Sequence, residues 1–250
     1  MHHRLIAIVV LAWLCGPAWG AETWMKVGAH QTMDANLLTP DGPGPYPGVL
    51  ILKSSRGVNA ADIAFAHALV QQGFACLIPH YLEAYSDTSG DRYTSFTKDA
   101  DAIYADLISA AASLARTDAV RGNKVGAVGF SNGGFFVTWL AATHQVAAAV
   151  SYYAAITGAG TDHDLTRFKP LFSPSSVPLL LLVGTKDTYS RPTHRLVGMM
   201  REAGSPVRVR FFEDAHHEFD RPGLDDADRT AAAEAWTSTQ RFLAYNLKGQ

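Results

Sequence analysis

Lys124-Val125-Gly126-Ala127-Val128-Gly129-Phe130-Ser131-Asn132-Gly133 joins an apolar, strand-like run to the pentapeptide Gly-x-Ser-x-Gly. The glycines point to a sharp strand-to-helix turn. A serine held in a strained backbone conformation needs neighbours without side chains, because a Cβ on either would clash across the turn. The segment from Gly133 to Ala142 is mostly apolar and long enough for a buried helix, although Gly133 and Gly134 are poor helix formers. The pentapeptide alone recurs by chance, and its alternative is a glycine-rich turn with a solvated serine. The order strand, turn, helix is what gives it weight.

Working outward, Trp24 to Leu38 carries the mixed alternation of an early strand pair and is followed by a proline- and glycine-rich turn over Thr39 to Pro47. Gly48 to Leu52 is a continuous apolar run, as in a strand covered on both faces. Helical patterns over Ala60 to Gln72 and Thr97 to Arg116 alternate with strands at Phe74 to Ile78 and Lys124 to Phe130. Beyond the serine, strands are expected at Val146 to Ala154, Pro178 to Val183 and Val207 to Phe212, with helices over Thr193 to Ala203 and Ala227 to Leu247. This alternation predicts an α/β fold with a mainly parallel sheet and helices on both faces. The irregular stretches Glu83 to Phe96 and Ala155 to Val177 follow strand ends, where such sheets carry their ligand loops.

The 250 residues, 48% of them hydrophobic, suit one large α/β domain over residues 21–250. A formal charge of −2 with no basic stripe argues against a nucleic-acid partner. Residues 1–20 read as a signal peptide. Arg4 precedes the apolar run Leu5 to Cys15, and Ala18-x-Gly20 offers small residues for cleavage after Gly20. That run is shorter than the ~20 residues of a membrane span. The mature chain is therefore expected to be exported, periplasmic or secreted, with no membrane association after cleavage; an uncleaved anchor is the alternative. Cys76 remains as a lone cysteine within Phe74 to Ile78, which suits a small core residue.

A serine hydroxyl is a weak nucleophile at neutral pH, so the turn at Ser131 calls for a general base, an orienting carboxylate and an oxyanion hole. On this topology the expected chain order is Ser, then Asp or Glu, then His. Asp187 follows the apolar strand through Leu182-Val183-Gly184-Thr185-Lys186, which puts it at the same sheet edge as Ser131; its alternative is a helix-capping or turn aspartate. Two adjacent histidines, His216 and His217, follow the next strand, and spacing does not choose between them. The oxyanion donors expected from topology are the backbone N–H of Asn132 and that of Ser55, with Ser54 the nearest competitor.

These residues carry a resemblance to the dienelactone hydrolase family of the α/β-hydrolases, in a serine-nucleophile form. It covers about Pro47 to Phe242 and rests on Gly-Phe-Ser-Asn-Gly-Gly, Gly-Thr-Lys-Asp and Ala-His-His-Glu-Phe. The family pattern Ala-x-His-x-Phe maps onto Ala215, His217 and Phe219, which selects His217 as base. The resemblance implies an enzyme that cleaves a small-molecule carboxylic ester or lactone. It also suggests Arg221, four positions after His217, as a holder of a substrate carboxylate. Arg56 and Arg92 lie in loops on the same expected face, and Tyr153 is a candidate for the pocket wall beside Tyr81, Tyr85 and Tyr152.

Two departures bear on the substrate. The family usually carries cysteine where this chain has Ser131, and His-Glu where it has Lys53-Ser54, which points to a serine esterase on the same scaffold. A peptidase of the prolyl-oligopeptidase type and a non-catalytic binding protein on a hydrolase scaffold are the rival readings; the chain lacks length for a propeller, and no triad position is degraded. Neither a metal site nor a cofactor is expected. Thr161-Asp162-His163-Asp164 lacks a second ligand cluster, and Gly126-Ala127-Val128-Gly129 lacks dinucleotide-loop spacing.

Overall fold

The computed structural model describes residues 20–85, 98–156, 163–221 and 225–249. Eight strands form one sheet: β1 (Ala21–Val27), β2 (Met33–Thr39), β3 (Tyr46–Leu52), β4 (Ala75–Pro79), β5 (Val120–Phe130), β6 (Ala148–Tyr152), β7 (Leu179–Gly184) and β8 (Val207–Phe212). Their order across the sheet is β1-β2-β4-β3-β5-β6-β7-β8. The pairs β1–β2 and β2–β4 are antiparallel, and every pairing from β4 through β8 is parallel. The expected strands are all present, within a few residues at their ends.

Alternate residues of the central strands feed two cores, as a parallel sheet covered on both faces requires. Val49, Ile51, Val128, Val150 and Leu182 pack beneath α1 (Ala60–Gln71) and α7 (Asp226–Leu243). Leu50, Leu52, Ala127, Ala149 and Leu181 face the other way. That second face carries α3 (Ala100–Ala115), α4 (Asn132–Ala142) and α6 (Thr193–Glu202). Cys76 lies wholly in the α1 side of the core, where burial pushes its thiol far up.

Two short helices were not expected: α2 (Tyr81–Ala84), which runs into the start of the Glu83 to Phe96 stretch, and α5 (His163–Phe168), inside the Ala155 to Val177 stretch and continued by a turn of 3-10 helix over Lys169–Leu171. Such short segments carry too little periodicity to stand out in a sequence. The C-terminal helix passes into a π-helical turn at Ala244–Lys248. The leader residues 1–19, Arg92, and Thr161 and Asp162 of the polar loop lie outside the described residues.

The sheet order positions the site. From β3 the chain passes to β4 on one side and then to β5 on the other, so the loops leaving β3 and β5 diverge at a topological switch point. In open α/β sheets the crevice outside the strand ends at such a point receives the ligand. Leu52 at the end of β3 is in register with Gly129 of β5, which sets the loop after β3 directly beside Ser131.

Candidate active site

Ser131 sits between β5 and α4 at φ 52° and ψ −107°, a left-handed conformation that a residue with a Cβ rarely adopts. Its neighbours explain how the turn is possible. A Cβ on Gly129 would stand 2.2 Å from the carbonyl oxygen of Gly133, and one on Gly133 would stand 2.1 Å from that of Leu52. Only glycine fits either position. The Ser131 N–H donates to the Tyr152 carbonyl at 3.0 Å, and the Ser131 carbonyl accepts from Phe135 and Ala155, both at 3.1 Å. The turn is thus tied to β6 and to its own helix.

Asp187 follows β7 and is buried. One carboxylate oxygen, Oδ1, accepts from the N–H of Tyr189 at 2.9 Å and of Ser190 at 3.3 Å. The other, Oδ2, accepts from Ser190 Oγ at 2.5 Å and meets His217 Nδ1 at 2.8 Å. His217 Nε2 in turn lies 2.9 Å from Ser131 Oγ. The three side chains expected from the sequence therefore form one continuous hydrogen-bond line. The His217 side chain keeps 20% of its surface exposed, enough for contact with a ligand while its Nδ1 edge is fixed.

The structure separates the two histidines. His216 turns the other way: its N–H donates to Asp228 Oδ1 at 2.7 Å, and its Nδ1 lies 3.1 Å from Asp228 Oδ2. It thereby joins the start of α7, where Asp225 caps the helix by accepting from the Asp228 N–H at 3.0 Å. His216, Asp225 and Asp228 bring three ligand-type atoms within 4.8 Å of one another, but helix capping and the tie to His216 already account for the arrangement. The backbone reverses around His217, with Asp214 at φ 59° and Glu218 at φ 60°. The Lys186 N–H donates to the Ala215 carbonyl at 2.9 Å, so the loops carrying Asp187 and His217 are bonded to each other.

Of the expected oxyanion region, Asn132 is the first residue of α4 and is buried, and Ser55 lies in the turn that follows β3. The Gly133 N–H donates to the Lys53 carbonyl at 3.1 Å, which holds this loop against the N-terminus of α4. Ser54 is buried, and its hydroxyl has no protein partner among the described residues.

Several of the residues expected to contact substrate have protein partners. Tyr153 is wholly buried, and its hydroxyl donates to Asp220 Oδ1 at 2.6 Å. Its ring stands edge-on to His217 at 4.9 Å, so it backs the histidine rather than presenting its hydroxyl to a ligand. Burial raises the Asp220 carboxyl above its ordinary range, against the Tyr153 hydrogen bond and the Arg221 charge. Arg221 is tied to the start of α1: its guanidinium donates to buried Asp62 at 3.1 Å and to Asn59 Oδ1 at 3.3 Å. Arg56 is largely exposed and pairs with Glu218 at 3.2 Å.

Sequence reading passed over several residues that shape the site. Ser190 bonds Asp187, and Tyr189, half exposed, places its ring 5.0 Å from that of His217. Lys53 is wholly buried and ion-paired with Glu83. Its pairing had no sequence signal, since the two residues are 30 positions apart.

The sheet order, the strained serine and the hydrogen-bond line define an α/β-hydrolase. The chain belongs to the dienelactone hydrolase family, whose model matches residues 33–247. It is 25% identical over 239 residues to a Bradyrhizobium protein named "Probable 2-oxo-3-(5-oxofuran-2-ylidene)propanoate lactonase", covering 92% of this chain and 96% of that one. It is 29% identical over 220 residues to the carboxymethylenebutenolidase of Pseudomonas putida, covering 83% of this chain and 89% of the relative. Among solved structures it resembles the dienelactone hydrolase of Anabaena variabilis, with a TM-score of 0.69 at 22% identity over 92% of this chain and 99% of that one.

Proposed function

We propose that this hydrolase cleaves a carboxylic ester or lactone through an acyl-enzyme on Ser131. The observation that carries the reading is the line from Ser131 Oγ to His217 Nε2 at 2.9 Å and from His217 Nδ1 to Asp187 at 2.8 Å. In this arrangement Ser131 Oγ attacks the carbonyl carbon as His217 Nε2 takes its proton. The tetrahedral oxygen is met by the backbone N–H groups of Asn132 and Ser55, and each such donor typically supplies ~3 kcal/mol of transition-state stabilisation. The proton on Nε2 then passes to the departing alkoxide, and His217 next activates the water that hydrolyses the acyl-enzyme. Asp187 holds the imidazole in the tautomer with Nδ1–H and stabilises its charged form. In a lactone the leaving alkoxide stays tethered, and the steps are the same.

The reading includes export, since the basic start, apolar run and small-residue site of residues 1–20 have the pattern of a cleaved leader.

The test is Ser131→Ala. Removing one hydroxyl creates little cavity, so the variant folds, loses kcat by orders of magnitude on p-nitrophenyl esters, and no longer takes a fluorophosphonate label. Wild-type turnover in that variant would sink the assignment. A parallel screen of p-nitrophenyl esters, lactones and peptide amides identifies the preferred bond.

A further inference from the structure

The loop that follows β3 is held at both of its ends by side chains that take no part in the proton transfers. At its start, the Lys53 carbonyl accepts from the Gly133 N–H at 3.1 Å and lies 2.9 Å from the hydroxyl of Tyr81. That hydroxyl is also 2.7 Å from Asn132 Oδ1, so its single proton is shared between the loop and the first residue of α4. At the other end, the Val58 N–H donates to Glu83 Oε1 at 3.2 Å. The second oxygen of the same carboxylate binds the Lys53 ammonium. Tyr81 and Glu83 are two residues apart on α2, so one short helix grips the loop before and after its turn.

Stability alone does not account for this choice of residues. Burial pushes the Lys53 ammonium down from its ordinary range, and the Glu83 charge only opposes that cost. The pair is closed only on the lysine side, with 44% of the Glu83 side chain exposed, so solvent screens its attraction, whereas hydrogen-bonded groups fix direction. Direction is what an oxyanion donor needs, because displacement by about 1 Å costs on the order of a hundredfold in rate.

We infer that Tyr81, together with the Lys53–Glu83 pair, is a positioning device that holds the oxyanion loop against the start of α4 so that its backbone donor stays aimed at the reacting carbonyl. This rests on the serine-hydrolase reading above. None of the three residues is a partner in the Ser131–His217–Asp187 line; they act through the backbone of residues 53–58 and the side chain of Asn132.

The test uses the full chain carrying Tyr81→Phe, with every rate referred to active sites counted by fluorophosphonate titration. The substitution removes one oxygen and leaves the ring packed against Phe136, at 5.7 Å between ring centres. The expected result on p-nitrophenyl acetate is a kcat lowered about 10- to 100-fold with KM within about twofold. The Ki of phenylboronic acid rises by a similar factor, because its tetrahedral oxygen occupies the oxyanion position while a ground-state ester does not depend on it. Glu83→Gln, which keeps the shape of the side chain, shows the same split to a smaller degree and provides the reading should Tyr81→Phe fail to fold.

Wild-type kcat and boronate Ki per active site in both variants would overturn the proposal. So would a rise in KM with kcat unchanged, or a loss of titratable sites that accounts for the whole rate loss. Ser131→Ala runs in the same assay. If it is inactive while Tyr81→Phe is normal, only the positioning role falls; if it is active, the serine reading falls first.

Discussion

Replacing Asp187 by asparagine isolates a single atom of the proposed machinery. In the native site Oδ1 accepts two backbone N–H groups and Oδ2 accepts from Ser190 Oγ and His217 Nδ1. In Asp187→Asn the amide oxygen retains the two backbone bonds, which keeps the turn, and the amide nitrogen takes the place of Oδ2. A donor then faces Nδ1, and the neutral imidazole relieves the clash by moving its proton to Nε2, the atom that must accept the serine proton. The base is present but in the wrong tautomer. Losing the base and the charge that stabilises the imidazolium should lower kcat about 10³- to 10⁴-fold, or about 4–5.5 kcal/mol of barrier. Stability should change far less, by about 1–2 kcal/mol for two altered side-chain hydrogen bonds. Steady-state kinetics on an activated ester, with a thermal melt of the same preparation, measures both. A variant within tenfold of the wild-type kcat/KM would refute the tautomer argument, and a melt lowered by tens of degrees would show that the turn depends on the charge.

His217→Ala should cost activity on the scale of the serine variant, while His216→Ala, which removes only a ring bonded to Asp228, should keep most of it; kcat/KM for both against one ester decides, and the reverse order would reassign the base. Asp106 is buried and accepts from the N–H groups of Ala29 at 2.6 Å, His30 at 2.5 Å and Gln31 at 3.0 Å and from the Tyr85 hydroxyl at 2.7 Å. Burial alone would raise its carboxyl, but these bonds outweigh it and hold the group below its ordinary range. A depressed folded pKa stabilises fully above the unfolded value of about 3.9 and is lost as pH falls through the folded value. The wild type should therefore lose stability on acidification below about pH 4, and Asp106→Asn should flatten that limb while costing about 2–3 kcal/mol near neutrality, read by denaturant titration across pH. N-terminal sequencing of protein exported by its native host should begin at Ala21; finding Met1 there would contradict cleavage.

What could be read from the chain was local in origin. The runs Gly48 to Leu52 and Leu179 to Leu182 are apolar at every position because both faces of a parallel strand are covered, and that pattern needs no partner to be visible. Ser131 was legible for the same reason. The Cβ collision that excludes a side chain at Gly129 is with Gly133 inside the turn, so that constraint is written into the pentapeptide itself, whereas the one at Gly133 comes from Leu52 at the end of β3. Asp187 and the two histidines followed from the order in which the strands deliver their loops.

Side-chain pairing between distant segments is a different kind of information. Composition and spacing left His216 and His217 equivalent, and only the start of α7 explains why His216 turns to Asp228 while its neighbour reaches Asp187 and Ser131. Nothing in the sequence pointed to the pairing of Arg221 with Asp62, 159 positions earlier in the chain. Tyr153 proved to be the packed support of His217, and the grip of Tyr81 and Glu83 on the Lys53 loop had no periodic signature at all. By itself the sequence determined the sheet, the strained serine turn and the order of its partners, because these depend on periodicity and near-neighbour sterics. Tertiary structure alone decided which charged and polar groups are occupied by one another and which face the open site, because hydrogen bonds and ion pairs form between whatever groups the packed elements bring within about 3 Å.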